Sequence, residues 1–311
     1  MTTTLYLSHP ASLHHETAPG HPESSDRIRA VERALEDERF SILAREQAPL
    51  ASEADLLRCH SRDHVERLRG LIPADGRLVE IDPDTTVSMG TWEAALRSAG
   101  GAIRAVDEVL EGRAINAFVA ARPPGHHAER GRAMGFCFFN NAAIAARHAI
   151  HRHGAERVAI VDWDVHHGNG TQDIFWDDPN VLYCSTHEMP LFPHTGDMGE
   201  RGEHNNIVNI PLTPGTNGRT YREIFDLMVV PRVDSFRPDL IIISAGFDAH
   251  WRDPLANINL TENDFSFATK RLLDIADRRC KGRVVSVLEG GYDLEALQRS
   301  VAVHVEALLG G

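Results

Sequence analysis

Short runs of β-branched and aliphatic residues recur along this chain, separated by longer amphipathic stretches, and that alternation limits its fold more than any other feature. The strand candidates are residues 4–7, 116–121, 157–162, 181–186, 207–211, 240–244 and 284–288. Three of them, VAIV at 158–161, LIIIS at 240–244 and VVSVL at 284–288, are apolar on both faces, as strands covered by helices on each side must be. Between them, residues 91–111 place Trp92, Ala95, Leu96, Ala99, Ile103, Val106 and Leu110 at helical spacing. Residues 141–153, 220–236, 261–279 and 293–309 are further predicted helices, the third opened by a capping Thr261 with acidic residues in its first turn. Alternating strands and helices imply an α/β fold around a mostly parallel sheet. Such a sheet gathers its ligands at the carboxyl ends of the strands, so the residues after each strand matter most.

Nothing divides the chain. No Pro/Gly/Ser-rich linker, low-complexity tract or repeat interrupts the 311 residues, and one domain spanning 1–311 is expected. The formal charge is −13, a sign that repels nucleic-acid phosphates and anionic membranes and mildly favours cationic ligands, so neither nucleic acid nor membrane is an expected partner. The four cysteines lack CxxC or disulfide-framework spacing, MTTTLYLSHP carries no basic-then-apolar leader, and no apolar run approaches bilayer length. A reducing, cytoplasmic setting is the expectation.

Four strand ends carry polar, Gly-rich residues. AFVAA leads into Arg-Pro-Pro-Gly-His126-His127, and RVAIV into Asp162-Trp-Asp164-Val-His166-His167-Gly-Asn169. LIIIS leads into Ala-Gly-Phe-Asp248, and VVSVL into Glu-Gly-Gly-Tyr292. Asp164 and His166 stand at i and i+2 of extended chain, so they point the same way and can grip one ion. Asp248 supplies a third ligand from a neighbouring strand, leaving a coordination position open as catalytic zinc sites do. Alone, the Asp-x-His spelling also fits a surface loop or a helix cap. His126 and His127 follow a rigid turn, and histidine serves both as the base that deprotonates water and as the acid that protonates a leaving amine. Taken by itself, a histidine pair is as readily a solvated loop. Tyr292 follows two glycines that let backbone approach a ligand, and its hydroxyl is suited to an oxyanion, although a lone GGY is more often a packed tyrosine.

Together, ARPPGHHA, MGFCFFNNAAIA, VDWDVHHGNGTQ, SAGFDAHWRDPL and LEGGYDL resemble, in order and spacing, the motif series of the zinc-dependent histone deacetylase family. The likeness runs from HPESSDRI onward, and DWDVHHGNGTQ is most similar to the class II branch, the bacterial deacetylase-like amidohydrolases and the acetylpolyamine amidohydrolases. The resemblance implies the arginase/deacetylase fold, with about eight mostly parallel strands and helices on both faces. It implies Asp164, His166 and Asp248 as zinc ligands, with Fe²⁺ or Co²⁺ able to substitute. It makes His127 the general base and acid, His126 its electrostatic companion and Tyr292 the holder of the substrate carbonyl. Asp162 matches the carboxylate behind His126, whereas Asn169 stands where many relatives place an aspartate behind His127. An amide orients the ring without stabilising its positive charge, so His127 is expected to rest neutral.

For the substrate, the resemblance implies Phe136 and Phe192 flanking an acyl-lysine stem, with Gly135 and Gly290 along the tunnel. Leu255 is implied at its rim, Asp82 as a rim carboxylate and Arg27 beside an acetate exit. It further implies a structural potassium ion held near Asp162, Asp164, His166, Ser185 and Thr186. The substrate class is an N-acetylated amine, acetyl-lysine or an acetylated polyamine. The short 9–26 loop and the apolar Leu255 lean towards acyl-lysine. Two rivals are an arginase-like dimanganese enzyme, which lacks a ligand because residue 250 is His, and a catalytically weak acyl-lysine-binding scaffold. Cys59, His60 and His64 are expected on a partly exposed helix face, His14 and His15 on an entrance loop, and His187 and His194 near the pocket mouth.

Overall fold

The computed structural model describes residues 3–310. In chain order its elements are β1 (Thr3–Ser8), α1 (Asp26–Ala34), β2 (Ala44–Gln47), α2 (Glu53–Leu56), α3 (Arg62–Leu71), β3 (Val79–Asp82), β4 (Thr85–Val87), α4 (Thr91–Leu110) and β5 (Ala114–Val119). There follow α5 (Asn141–His153), β6 (Val158–Asp162), α6 (Asn169–Phe175), β7 (Val181–Glu188), β8 (Ile207–Leu212), α7 (Gly218–Ile224) and α8 (Val230–Phe236). The last are β9 (Leu240–Ala245), α9 (Glu262–Cys280), β10 (Val284–Leu288) and α10 (Leu294–Leu309).

Eight strands form one sheet in the order β2-β1-β5-β10-β9-β6-β7-β8, every neighbouring pair parallel. The both-faces apolar runs bury as their sequence requires. Ile241 and Ile243 of β9 enter the core formed with α1 and α7–α10, while Leu240 and Ile242 enter the opposite core formed with α3–α6. Burying one such aliphatic side chain contributes roughly 1.5–3 kcal/mol, and two faces used at once make the central strands the most strongly held part of the chain. All eight strands of this sheet point one way, so the segments after β5, β6, β9 and β10 emerge at one edge, side by side.

Three differences from the sequence expectation have physical causes. The single helix expected over 220–236 is α7 and α8 joined through a π-helical turn at Phe225–Val229, an irregularity invisible to a 3.6-residue period. The edge strand β2 reads AREQ and is largely exposed, so it carries no apolar signature. The β3–β4 hairpin was also unmarked by sequence, and it carries residues to the cavity described below.

Candidate active site

Asp164, His166 and Asp248 converge at the strand ends. His166 Nδ1 lies 3.1 Å from Asp164 Oδ1 and 3.2 Å from Asp248 Oδ2, and all three residues are buried. Both carboxylates are already oriented by backbone amides: Val165 N donates to Asp248 Oδ1 at 2.8 Å, and Gly290 N donates to Asp164 Oδ2 at 2.8 Å. Asp248 Oδ2 is buried and accepts no hydrogen bond. An unpartnered carboxylate oxygen facing an imidazole nitrogen and a second carboxylate is a donor set for a divalent cation, and the three side chains can hold one. Without an ion, the two acids repel. Burial and the facing Asp164 push Asp248 up to about 7. Asp164, despite burial, is held well below the usual range by His126 and His166. Burial works against charge on His166 too, but the hydrogen bond to Asp164 and the Asp248 carboxylate 3.2 Å away overcome it and raise the ring to about 10. The group is thus short of cationic charge.

Glycine permits this clustering at Gly290, where a Cβ would collide with both Asp164 Oδ2 and Asp248 Oδ2. Gly290 does not line the cavity as expected. It supports the acid pair from behind.

Beside the acids lie the two histidines, with ring centroids 3.9 Å apart. Glu289, the first residue after β10, is buried and accepts from Gly125 N at 2.7 Å and His126 N at 3.1 Å, fixing the loop that carries them. Asn140 and Asn141 at the start of α5 bond the same loop at His126 O and Pro123 O. His126 Nδ1 meets Asp162 Oδ2 at 3.0 Å, and the Tyr183 hydroxyl donates to that same oxygen. Burial opposes charge on His126, but the Asp164 and Asp162 carboxylates outweigh it and push the ring up to about 10. His127 Nδ1 meets Asn169 Oδ1 at 2.8 Å. The Asn169 amide is not free to flip, because its Nδ2 donates to Glu129 Oε1 at 2.8 Å. Oδ1 therefore faces His127, Nδ1 must be the donor, and the Nε2 lone pair is left for the cavity. Burial, the charged His126 and His166 hold His127 well below the ordinary imidazole range. One ring is thus held charged and its neighbour neutral by burial and by the facing charges, while the Asn169 hydrogen bond works in the opposite direction.

A cavity of about 390 Å³ leads in from the surface, lined by His127, Gly135, Phe136, His166, Leu191, Phe192, Leu255 and Tyr292, with His21, Pro22 and Asp84 at its mouth. Phe192 packs edge-on against His127 at 5.1 Å between centroids, and Phe136 edge-on against Tyr292 at 5.9 Å, so two rings wall a narrow apolar slot. Gly135 and Phe136 both have positive φ, 56° and 68°. The conformation is costly for phenylalanine and is held by the Thr85 hydroxyl, which accepts from Phe136 N at 3.1 Å. Thr85 comes from the unanticipated hairpin, and so does the mouth carboxylate. Asp84 lines the cavity where Asp82 was expected; Asp82 instead turns back to accept from Asp84 N at 2.9 Å.

Tyr292 is carried by a loop that buried charges lock in place. Arg27 Nε donates to Gly291 O at 2.7 Å, its Nη2 donates to Glu289 O, and its guanidinium lies 5.0 Å from the Tyr292 ring centre. Glu23 accepts from Arg27 Nη1 at 3.1 Å and from Arg122 Nε at 2.6 Å, all three side chains being fully buried. Arg122 in turn bonds Ser12 O at 2.6 Å and His15 O at 3.0 Å. The motif HPESSDRI holds both Glu23 and Arg27, but the second partner of Glu23, Arg122, is 99 positions away and was not visible in sequence.

Several histidines stand elsewhere than expected. Cys59 and His60 precede α3, and both are buried with His64 rather than presented on an exposed face. His60 Nε2 accepts from Asn140 N at 2.9 Å, so its Nδ1 donates to Glu129 O, a wholly structural use of the ring. His15 is buried against Phe138 instead of lying on an entrance loop, while His21 reaches the mouth. His187 does not line the mouth but bonds Ser185 Oγ and Gly196 O from beneath, and His194 lines it no more than His187 does. Ser185 and Thr186 are buried on β7, with Ser185 in register beside Asp162.

The comparisons agree with this geometry. The histone deacetylase domain signature matches residues 21–308. A probable deacetylase of Archaeoglobus fulgidus is 40% identical, the match covering 99% of this chain and 86% of that protein. A histone deacetylase-like amidohydrolase of Pseudomonas aeruginosa is 44% identical over 88% of this chain and 73% of its own length. The crystal structure of the HDA15 HD domain superposes with a TM-score of 0.93 at 35% identity, covering 99% of this chain and 90% of that one. The eight-stranded parallel sheet is accordingly the arginase/deacetylase fold, and the chain belongs to the histone deacetylase family of amide-hydrolysing deacetylases.

Proposed function

We propose that this chain acts as one domain over 1–311, in the cytoplasm, and hydrolyses N-acetyl and other short-chain acyl amides, with acetyl-lysine of proteins or peptides as the main substrate and Zn²⁺ as the metal. The observation that carries the reading is the slot itself. Phe136 and Phe192 wall an apolar passage that ends on Tyr292, His127 and His166, the shape and polarity of a methylene stem ending in an acetamide.

Asp164, His166 and Asp248 would hold the ion, which when bound polarises the acyl carbonyl and lowers the pKa of water towards about 7. His127, with its Nε2 lone pair facing the cavity, takes the proton as water adds to the carbonyl carbon. The Tyr292 hydroxyl donates to the oxygen that gains negative charge. The C–N bond then breaks, and the proton on His127 passes to the departing amine, giving acetate and free amine. His126, held charged by Asp162, keeps the second ring neutral until it takes that proton. Arg27 and the buried charges around it anchor the tyrosine loop.

A second reading has one observation in its favour. The Asp84 carboxylate at the mouth and the net charge of −13 suit the free ammonium groups of an acetylated polyamine. Side-by-side kcat/KM measurements on acetyl-lysine peptides, acetylputrescine and acetylspermidine test the choice. A preference for the peptides of tenfold or more, about 1.4 kcal/mol of transition-state discrimination, is expected. The reverse order would move the assignment to polyamines.

A further inference from the structure

A second group of metal-binding side chains lies well away from the cavity. Asp107, on the last turns of α4, faces His148 and His153 of α5. Both histidine Nε2 atoms lie 2.7 Å from the same oxygen, Asp107 Oδ1, and the three donors lie within 4.8 Å of one another. His153 ends α5 at the far end from Asn140 and Asn141, which hold the catalytic loop, a separation of about 20 Å along a 13-residue helix.

Two facts make this more than a pair of surface hydrogen bonds. Among the described residues no Lys or Arg pairs with Asp107, so the carboxylate relies on the two imidazoles alone. Burial works against its charge, yet the histidine hydrogen bonds hold Asp107 below the usual carboxylate range. Moreover, His148 Nδ1 is buried without a partner, so the Nε2–H donated to Asp107 alone fixes the ring, and an ion at Nε2 would displace no other contact of it. The side chains retain 26%, 10% and 12% exposure, enough for an ion to enter and keep water in its remaining positions.

We propose that Asp107, His148 and His153 form a second metal site, which takes a borderline divalent cation such as Zn²⁺ or Co²⁺ and clips α4 to α5. Two imidazoles and one carboxylate suit such ions and disfavour Mg²⁺ or Ca²⁺. Metal–nitrogen distances of about 2.0–2.1 Å need donors roughly 3.4 Å apart, so the site must open by about 0.7 Å. His153 supplies that movement, because it is the last residue of α5 and the next, Gly154, already leaves the helix at φ 69°. The ion replaces two N–H donors on one oxygen, releasing no proton when both rings are neutral and merely shifting each to its Nδ1–H tautomer.

The test is Co²⁺ titration of chelator-stripped protein, read by metal content and by melting temperature. The wild type should take two ions per chain, His153→Gln one, Asp248→Asn one and the double variant none. His153→Gln saturated with metal should keep wild-type deacetylase activity, and Co²⁺ should raise the melting temperature of Asp248→Asn but not of the double variant. The proposal falls if His153→Gln binds as many ions as the wild type. Failure of the catalytic site would look different, with Asp248→Asn matching the wild type while His153→Gln still lost an ion. Asp107→Asn, which keeps the side-chain volume, guards against a folding defect in His153→Gln and should lose the same ion.

Discussion

Replacing Tyr292 by Phe separates chemistry from structure at this site. Among the described residues the Tyr292 hydroxyl bonds to no protein group, while its ring packs against Phe136 and the Arg27 guanidinium. Phenylalanine keeps both ring contacts, so stability should change by less than about 0.5 kcal/mol, the scale of a substitution that breaks no buried partner. The metal ligands are untouched, and metal content should stay that of the wild type. What is lost is a single donor to the oxygen that becomes negative. Comparable deletions cost about 2.7–4 kcal/mol, or roughly 10²–10³ in kcat. The interaction strengthens as charge develops, so the loss should appear in kcat with KM little altered. Steady-state kinetics on an acetyl-lysine peptide, with metal analysis and a thermal melt of the same sample, check all three. Turnover within a few-fold of wild type at full metal occupancy would refute the role given to the hydroxyl.

The remaining predictions concern the surroundings of the reacting groups. Gly290→Ala places a methyl against Asp164 Oδ2 and Asp248 Oδ2, and should weaken metal affinity by about 10–100-fold in a competition titration with a chromogenic chelator. Asn169→Asp should raise the His127 pKa and move the acidic limb of the kcat/KM profile to higher pH, because the base works only when neutral. Glu129 faces position 169, so the cleaner comparison adds Glu129→Gln, and an unmoved limb in that double variant refutes the role of the amide. Burial raises the Glu23 carboxyl, but Arg122 and Arg27 prevail and bring it down to about 2. A carboxylate depressed from about 4.5 to about 2 contributes roughly 3 kcal/mol above pH 4.5 and loses it as pH falls towards 2. The stability gap between wild type and Glu23→Gln should therefore be wide at neutral pH and narrow across that window in urea titrations. A constant gap would show that the carboxylate charge is not what matters.

Much of the site was legible because it is local in sequence. Asp164 and His166 are two residues apart on extended chain, His126 and His127 are adjacent, and each follows a strand whose apolar run is unmistakable. The sheet itself was announced by runs such as LIIIS, since a segment apolar on both faces has few places to go other than the middle of a covered sheet. Elements without that contrast escaped notice. The edge strand β2 is polar, the β3–β4 hairpin is short and half-exposed, and the π turn between α7 and α8 keeps an amphipathic pattern while changing its period.

Side chains whose role depends on a distant partner were beyond the sequence. Glu23 meets Arg122 across 99 residues, Glu289 reaches back 164 positions to Gly125, and Asp107 meets His153 through the packing of two helices. Asp84 rather than Asp82 came to the mouth because a two-residue difference in a hairpin turns a carboxylate towards the cavity or back onto its own backbone. The sequence by itself determined the layered α/β class, the strand ends that carry the chemistry and the three side chains able to hold an ion. Only the tertiary structure decided which Asn169 atom faces His127, which ring bears the charge and which residues line the mouth, because those depend on groups brought within about 3 Å by folding and on the water that folding excludes.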